Sequence, residues 1–129
     1  MTSILIVEDH AMMGRALTRV LDEHQDLHVV EIVSTAEIAL EKLKKIKVDL
    51  AIVDVSLPRM NGIDLVALLH KQYPALPCMM LSGHTGMQYV TRSLEAGARG
   101  YVVKDDIAGI VEGIQAIMAG KTYVSENLR

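Results

Sequence analysis

An α/β fold built on a parallel sheet is predicted by three features of the 129-residue chain: short β-rich runs alternate with stretches of helical periodicity, each run stops at a polar residue, and glycines or a proline close most of the helices. Five strand-helix units stand in series, with no linker, low-complexity tract or long apolar span between them. Strands that alternate with helices imply a doubly wound parallel sheet whose right-handed crossovers cover both faces.

The units follow in order. Ser3-Ile4-Leu5-Ile6-Val7 is a strand that stops at Glu8-Asp9, and Met13, Ala16, Leu17, Val20 and Leu21 then form a helical stripe. Val29-Val30-Glu31-Ile32-Val33 leads to Ser34 and Thr35, candidate N-caps for a helix carrying Ala36, Ala39, Leu40, Leu43 and Ile46. Leu50-Ala51-Ile52-Val53 ends at Asp54; after the loop from Pro58 to Gly62 come Ile63, Val66, Leu69 and His70, until Tyr73-Pro74 stops that helix. Cys78-Met79-Met80-Leu81 ends at Ser82-Gly83 and is followed by a helix through Val90, Leu94 and Ala98 that closes at Gly97-Ala98-Arg99-Gly100. Tyr101-Val102-Val103 ends at Lys104, and Ile107, Ile110, Val111, Ile114, Ile117 and Met118 form the clearest amphipathic helix, ending at Gly120. Residues 1–120 make one domain on this reading, and 121–129 a tail or the start of a linker.

Composition narrows the function. Half of the residues are hydrophobic, enough for one core without staples. With neither Trp nor Phe, bulk must come from aliphatic residues, the eight Met and some of the four Tyr. A net charge of −3 lacks the positive field on which nucleic-acid or anionic-membrane binding depends, so direct DNA binding by this segment is not expected. The one cysteine, Cys78, cannot form an internal disulfide, and no export signal or membrane span is visible; a soluble cytoplasmic protein is expected.

Ligands of open parallel sheets bind at the carboxyl ends of the strands. Those ends carry Glu8-Asp9, Asp54, Ser82 and Lys104, which should converge on one edge, while the second strand ends in uncharged Ser34-Thr35. Taken singly, each is as readily a helix cap or a neutralising charge. As a set from separate strands they are chemically complementary. Three clustered carboxylates repel one another unless a cation intervenes, and all-oxygen ligation suits Mg²⁺, or Mn²⁺ in its place. A carboxylate beside such an ion, with an ammonium and a hydroxyl near, can attack a phosphoryl group.

With these residues in view, the chain resembles the receiver domain of a two-component response regulator over essentially its whole length. The likeness is carried by Glu8-Asp9, the D-x-x-x-P-x-x-x-G pattern of Asp54, Pro58 and Gly62, Ser82-Gly83, and Lys104. It implies a flavodoxin-like, CheY-type sheet of order 2-1-3-4-5 flanked by five helices. By the same resemblance Asp54 is the phosphoacceptor, supplied by a phosphohistidine on a sensor histidine kinase. Glu8, Asp9, Asp54 and the Ser56 backbone carbonyl would hold the metal, Ser82 and Lys104 would contact the phosphoryl oxygens, and Tyr101 would be an aromatic switch packing inward as Ser82 moves. The signal would pass to the face of helix 4, strand 5 and helix 5, where Thr91, Arg92 and Glu95 are candidate contacts.

The run Gly97-Ala98-Arg99-Gly100-Tyr101 and the ending Gly120-Lys121-Thr122-Tyr123-Val124-Ser125 further resemble the NarL/FixJ type, whose receiver precedes a LuxR-type helix-turn-helix domain. That resemblance implies transcriptional output through such a domain, with DNA contacted only there, and leaves a homodimer open. Many receivers follow the lysine with proline through a cis peptide; here Asp105 stands in that place, and a cis Lys104–Asp105 bond is expected despite a cost of about 3 kcal/mol. Ser56 and His84, each two residues beyond a site residue, are placed to tune phosphoryl lifetime. His10 reads as an exposed helix-start residue rather than a ligand. The rival reading is a small Mg²⁺-dependent phosphohydrolase with Asp54 as nucleophile, weakened because Ser56 stands where a leaving-group acid belongs. A flavin binder is weaker still, since Glu8-Asp9 would repel phosphate.

Overall fold

The computed structural model describes residues 1–129. Its strands are β1 (Thr2–Val7), β2 (Leu27–Val33), β3 (Leu50–Asp54), β4 (Cys78–Ser82), β5 (Gly100–Val103) and β6 (Tyr123–Val124), and its helices α1 (Ala11–Asp22), α2 (Ala36–Leu43), α3 (Gly62–Gln72), α4 (Met87–Glu95) and α5 (Ile107–Met118). Every strand pairing is parallel, in the order β2-β1-β3-β4-β5-β6. The expected 2-1-3-4-5 sheet is present with one short strand added at its edge. That strand lies in the segment expected to be a tail, pairing Tyr123 with Gly100 and Val124 with Tyr101.

Alternation along each strand divides the core between two faces. Leu5, Val7, Ala51, Val53, Met80 and Tyr101 pack with α2, α3 and α4, whereas Ile4, Ile6, Ile52, Met79, Leu81 and Val102 pack with α1 and α5. The central strands β3 and β4 are buried at every position, which is why they read as continuous apolar runs. Met79 and Met80 are wholly buried on opposite faces and supply part of the bulk that aromatic residues would otherwise provide.

The helix ends follow their local chemistry. Thr35 Oγ1 caps α2 by accepting from the Ile38 amide at 3.1 Å, and Asn61 Oδ1 caps α3 by accepting from Asp64 at 2.9 Å. Helix α4 stops at Glu95, earlier than the stripe through Ala98 suggested, because Gly97 takes φ +114° and turns the chain toward β5. Gly62 answers a steric need: a Cβ there would run into the Asp54 carbonyl, and its amide donates to the Val55 carbonyl at 2.9 Å. The glycine eight residues after Asp54 therefore lets α3 begin against the end of β3.

One expectation is corrected. No peptide bond is cis, so Lys104–Asp105 is trans. Without a proline the trans form is strongly favoured, and the Asp106 amide closes the turn on the Val103 carbonyl at 3.0 Å with no isomer change.

Candidate functional site

The carboxyl ends of β1, β3, β4 and β5 lie side by side, and the sequence-predicted residues meet there. Asp54, the last residue of β3, is 1% exposed. Its Oδ2 accepts from Lys104 Nζ at 3.1 Å and its Oδ1 from the Ser56 amide at 3.0 Å. Lys104 Nζ also lies 3.0 Å from Glu8 Oε1, so one ammonium bridges two buried carboxylates. Burial works against that charge, but the contacts with Glu8 and Asp54 outweigh it and hold the Lys104 pKa above the ordinary lysine value.

Glu8 is 2% exposed. Burial raises its carboxyl above the usual carboxylate range, and hydrogen bonds from His10 only partly offset this. His10 sits at the N-cap of α1 and is exposed, as expected, yet its Nδ1 lies 2.9 Å from Glu8 Oε2 and 3.3 Å from Asp9 Oδ1. The bond to Glu8 raises the His10 imidazole above its ordinary range.

Glu8, Asp9 and Asp54 each offer a carboxylate oxygen, and together with a ring nitrogen of His10 these atoms lie within 4.8 Å of one another. Glu8 Oε1 is buried and receives no well-formed hydrogen bond, though it lies 3.0 Å from Lys104 Nζ. A donor set of three carboxylates with one underused buried oxygen fits a hard divalent cation.

Ser82, fully buried at the end of β4, accepts the His84 amide on its Oγ at 2.9 Å. It caps no helix, since α4 begins five residues later, at Met87, behind Gly86. Tyr101 is the one tyrosine buried completely, and its hydroxyl donates to the His84 carbonyl at 2.8 Å. His84 is thus held by its amide to Ser82 and by its carbonyl to Tyr101. Its ring reaches Ser56 Oγ at 3.0 Å and stacks on Tyr89 of α4, with centroids 4.1 Å apart. Thr91, Arg92 and Glu95 are exposed on α4.

Three participants were not legible as such in the sequence. Tyr89 carries no local signal, and the ring contact of His10 with Glu8 needed coordinates. Asp106 had a signal: an aspartate just before an apolar helical stripe is an N-cap candidate, and it caps α5 through Gly109 at 3.0 Å.

Chemically, the edge presents a carboxylate whose two oxygens are held by an amide and an ammonium, beside two further acids and a buried hydroxyl. The phosphohydrolase rival gains nothing, since the position two residues after Asp54 carries a hydroxyl directed at His84 rather than an acid.

Residues 4–115 match the family model described as response regulator receiver domain. The transcriptional regulatory protein DegU of Brevibacillus brevis is 30% identical over 94% of this chain and 52% of its own length. Response regulator GacA of Pseudomonas viridiflava is 30% identical over 99% of this chain and 60% of its own length. The chain therefore spans about half to three fifths of these relatives. The crystal structure of a LuxR-family two-component response regulator from Aurantimonas sp. SI85-9A1 superposes with a TM-score of 0.94 at 27% identity, covering 98% of this chain and 91% of that one.

Proposed function

The chain belongs to the response regulator receiver family, whose members are phosphorylation-dependent switches of two-component systems, and from that premise we propose that Asp54 is its phosphoacceptor. The observation that carries this reading is the placement of the Asp54 carboxylate, at the carboxyl end of a buried strand and 3.1 Å from the Lys104 ammonium. An Asp54 oxygen attacks phosphorus, the bond from phosphorus to the donor's imidazole nitrogen or acyl oxygen breaks, and the donor leaves with that electron pair. Return to the resting state is attack by water on phosphorus, releasing phosphate and the free carboxylate.

Lys104 neutralises charge on a phosphoryl oxygen and Ser82 donates its hydroxyl to another, each already within the site before transfer. Glu8, Asp9, Asp54 and the Ser56 carbonyl are the proposed holders of Mg²⁺ or Mn²⁺, which would supply charge neutralisation to the transferring oxygens. His84, whose ring is joined to Ser56 and stacked on Tyr89, sets phosphoryl lifetime.

Phosphorylation adds charge and acceptor oxygens where Ser82 and Lys104 converge. Movement of Ser82 releases the His84 amide, and the His84 carbonyl carries the hydroxyl of Tyr101. Through that chain the phosphoryl group shifts the face of α4, β5 and α5 between two arrangements. Its donor is a sensor histidine kinase, and the place of action is the cytoplasm. The receiver of the signal is a helix-turn-helix output domain, through which alone DNA is contacted, with a second copy of the chain as a further partner. The relatives DegU and GacA, one named a transcriptional regulator and one a response regulator, support this reading.

The test is intact-mass analysis after incubation with acetyl phosphate and Mg²⁺. One phosphoryl group on the wild type and none on Asp54→Ala is expected. Equal labelling of both would refute the assignment, and continuous turnover of phosphomonoesters would favour a phosphohydrolase.

A further inference from the structure

Ser125 lies four residues from the last residue, Arg129, and beyond the span matched by the family model, yet it is fully buried. Its hydroxyl donates to Asp106 Oδ2 at 2.8 Å and accepts from the Val103 amide at 3.0 Å. Its own amide donates to the Tyr101 carbonyl at 2.9 Å, continuing the β5–β6 ladder. The two partners of the hydroxyl flank Lys104: Val103 precedes it, and Asp106 closes the turn after it by donating its amide to the Val103 carbonyl at 3.0 Å.

Asp106 is itself fixed. Its Oδ1 accepts from the Gly109 amide at the start of α5, and a Cβ on Gly109 would collide with that carboxylate. One buried hydroxyl therefore clamps both sides of the turn from which the Lys104 side chain reaches Glu8 and Asp54. The Lys104 amide also donates to the Ser82 carbonyl, at 2.9 Å, and the Asp106 carbonyl accepts from the Ile110 amide at 3.2 Å.

We propose that Ser125 is a positioning residue for Lys104: by holding Val103 and Asp106 it fixes the turn that aims the ammonium at Asp54. The C-terminal strand is then part of the phosphotransfer apparatus rather than a passive connection. The coupling is reciprocal, so drawing Lys104 toward a phosphoryl oxygen alters the hold on Ser125 and on the chain that follows. This rests on the reading of Asp54 as phosphoacceptor.

The experiment is a double-mutant cycle on the 129-residue chain, comparing wild type, Ser125→Ala, Lys104→Ala and the double variant. Phosphorylation rates with acetyl phosphate and Mg²⁺ are followed by intact mass, alongside Tm. Loss of the hydroxyl should slow the wild type about fivefold and add nothing once Lys104 is absent. A lower Tm with an unchanged rate, or the same slowing in both backgrounds, would overturn the proposal by leaving Ser125 a purely structural hydroxyl. If Ser125→Ala does not fold, Ser125→Cys decides: it keeps the side chain's volume but puts a weak thiol donor and acceptor between Asp106 and Val103, so slowed transfer supports the clamp and an unchanged rate overturns it. An unlabelled wild type would instead remove the Asp54 reading, and this inference with it.

Discussion

His84 gathers more of the site's connections than its place in a loop suggests. Amide, carbonyl and ring each have a partner: Ser82, Tyr101, and Ser56 with Tyr89. Replacing it with Ala leaves the backbone bonds intact and removes only the ring that contacts Ser56 and Tyr89. Water then reaches the acyl phosphate more readily, so His84→Ala should shorten the phosphorylated lifetime about threefold. A phosphate-release assay on purified phosphoprotein measures this, and an unchanged lifetime would show the ring to be a bystander. Cys78 illustrates the opposite case, a residue silenced by its surroundings. Burial pushes its thiol up to about 12, so it should resist alkylation at pH 8 in the native state and react once the chain is unfolded in urea. The same shift gives a sign. Because the folded pKa is raised, the contribution to stability is whole below the ordinary thiol value and declines as pH rises from there toward 12, a loss that urea titrations between pH 8 and 11 should register.

Among the elements, α3 depends most directly on the functional strand, because its first residue presses on the Asp54 carbonyl. Gly62→Ala puts a methyl into that contact and should cost about 1–3 kcal/mol in urea unfolding while also slowing phosphorylation. A variant of wild-type stability would mean that the loop has room to yield. The elements also show what could be read from the chain. Strands of four to seven residues and helices of eight or more announce themselves through hydrophobic runs and 3.6-residue periodicity, and their polar ends pointed to the site edge. Strand β6 did not, because two residues carry no period, and Tyr123–Val124 earns its place only by pairing with β5. The pairings of Ser56 with His84 and of Ser125 with Asp106 join loops far apart in sequence; loop paths fix them, and no local pattern encodes a loop path. The cis expectation at Lys104–Asp105 failed for a related reason: it borrowed a geometry from chains that have proline there, and this chain does not.

In the whole molecule the sheet separates duties. One end gathers Glu8, Asp9, Asp54, Ser82 and Lys104, while the two core faces hold the strands in register beneath them. Tyr101 links the two, being wholly buried in the core yet bonded to a loop of the site. No helix is long and apolar enough to cross a membrane, and the chain carries a net charge of −3. The central claim is that one covalent bond, on Asp54, drives the switch. Treating acetyl-phosphate-labelled protein with borohydride reduces an acyl phosphate to the alcohol, and peptide mass spectrometry then reads its position. The account predicts homoserine at position 54 and at no other carboxylate; reduction at Glu8, Asp9 or elsewhere, with Asp54 intact, would contradict it.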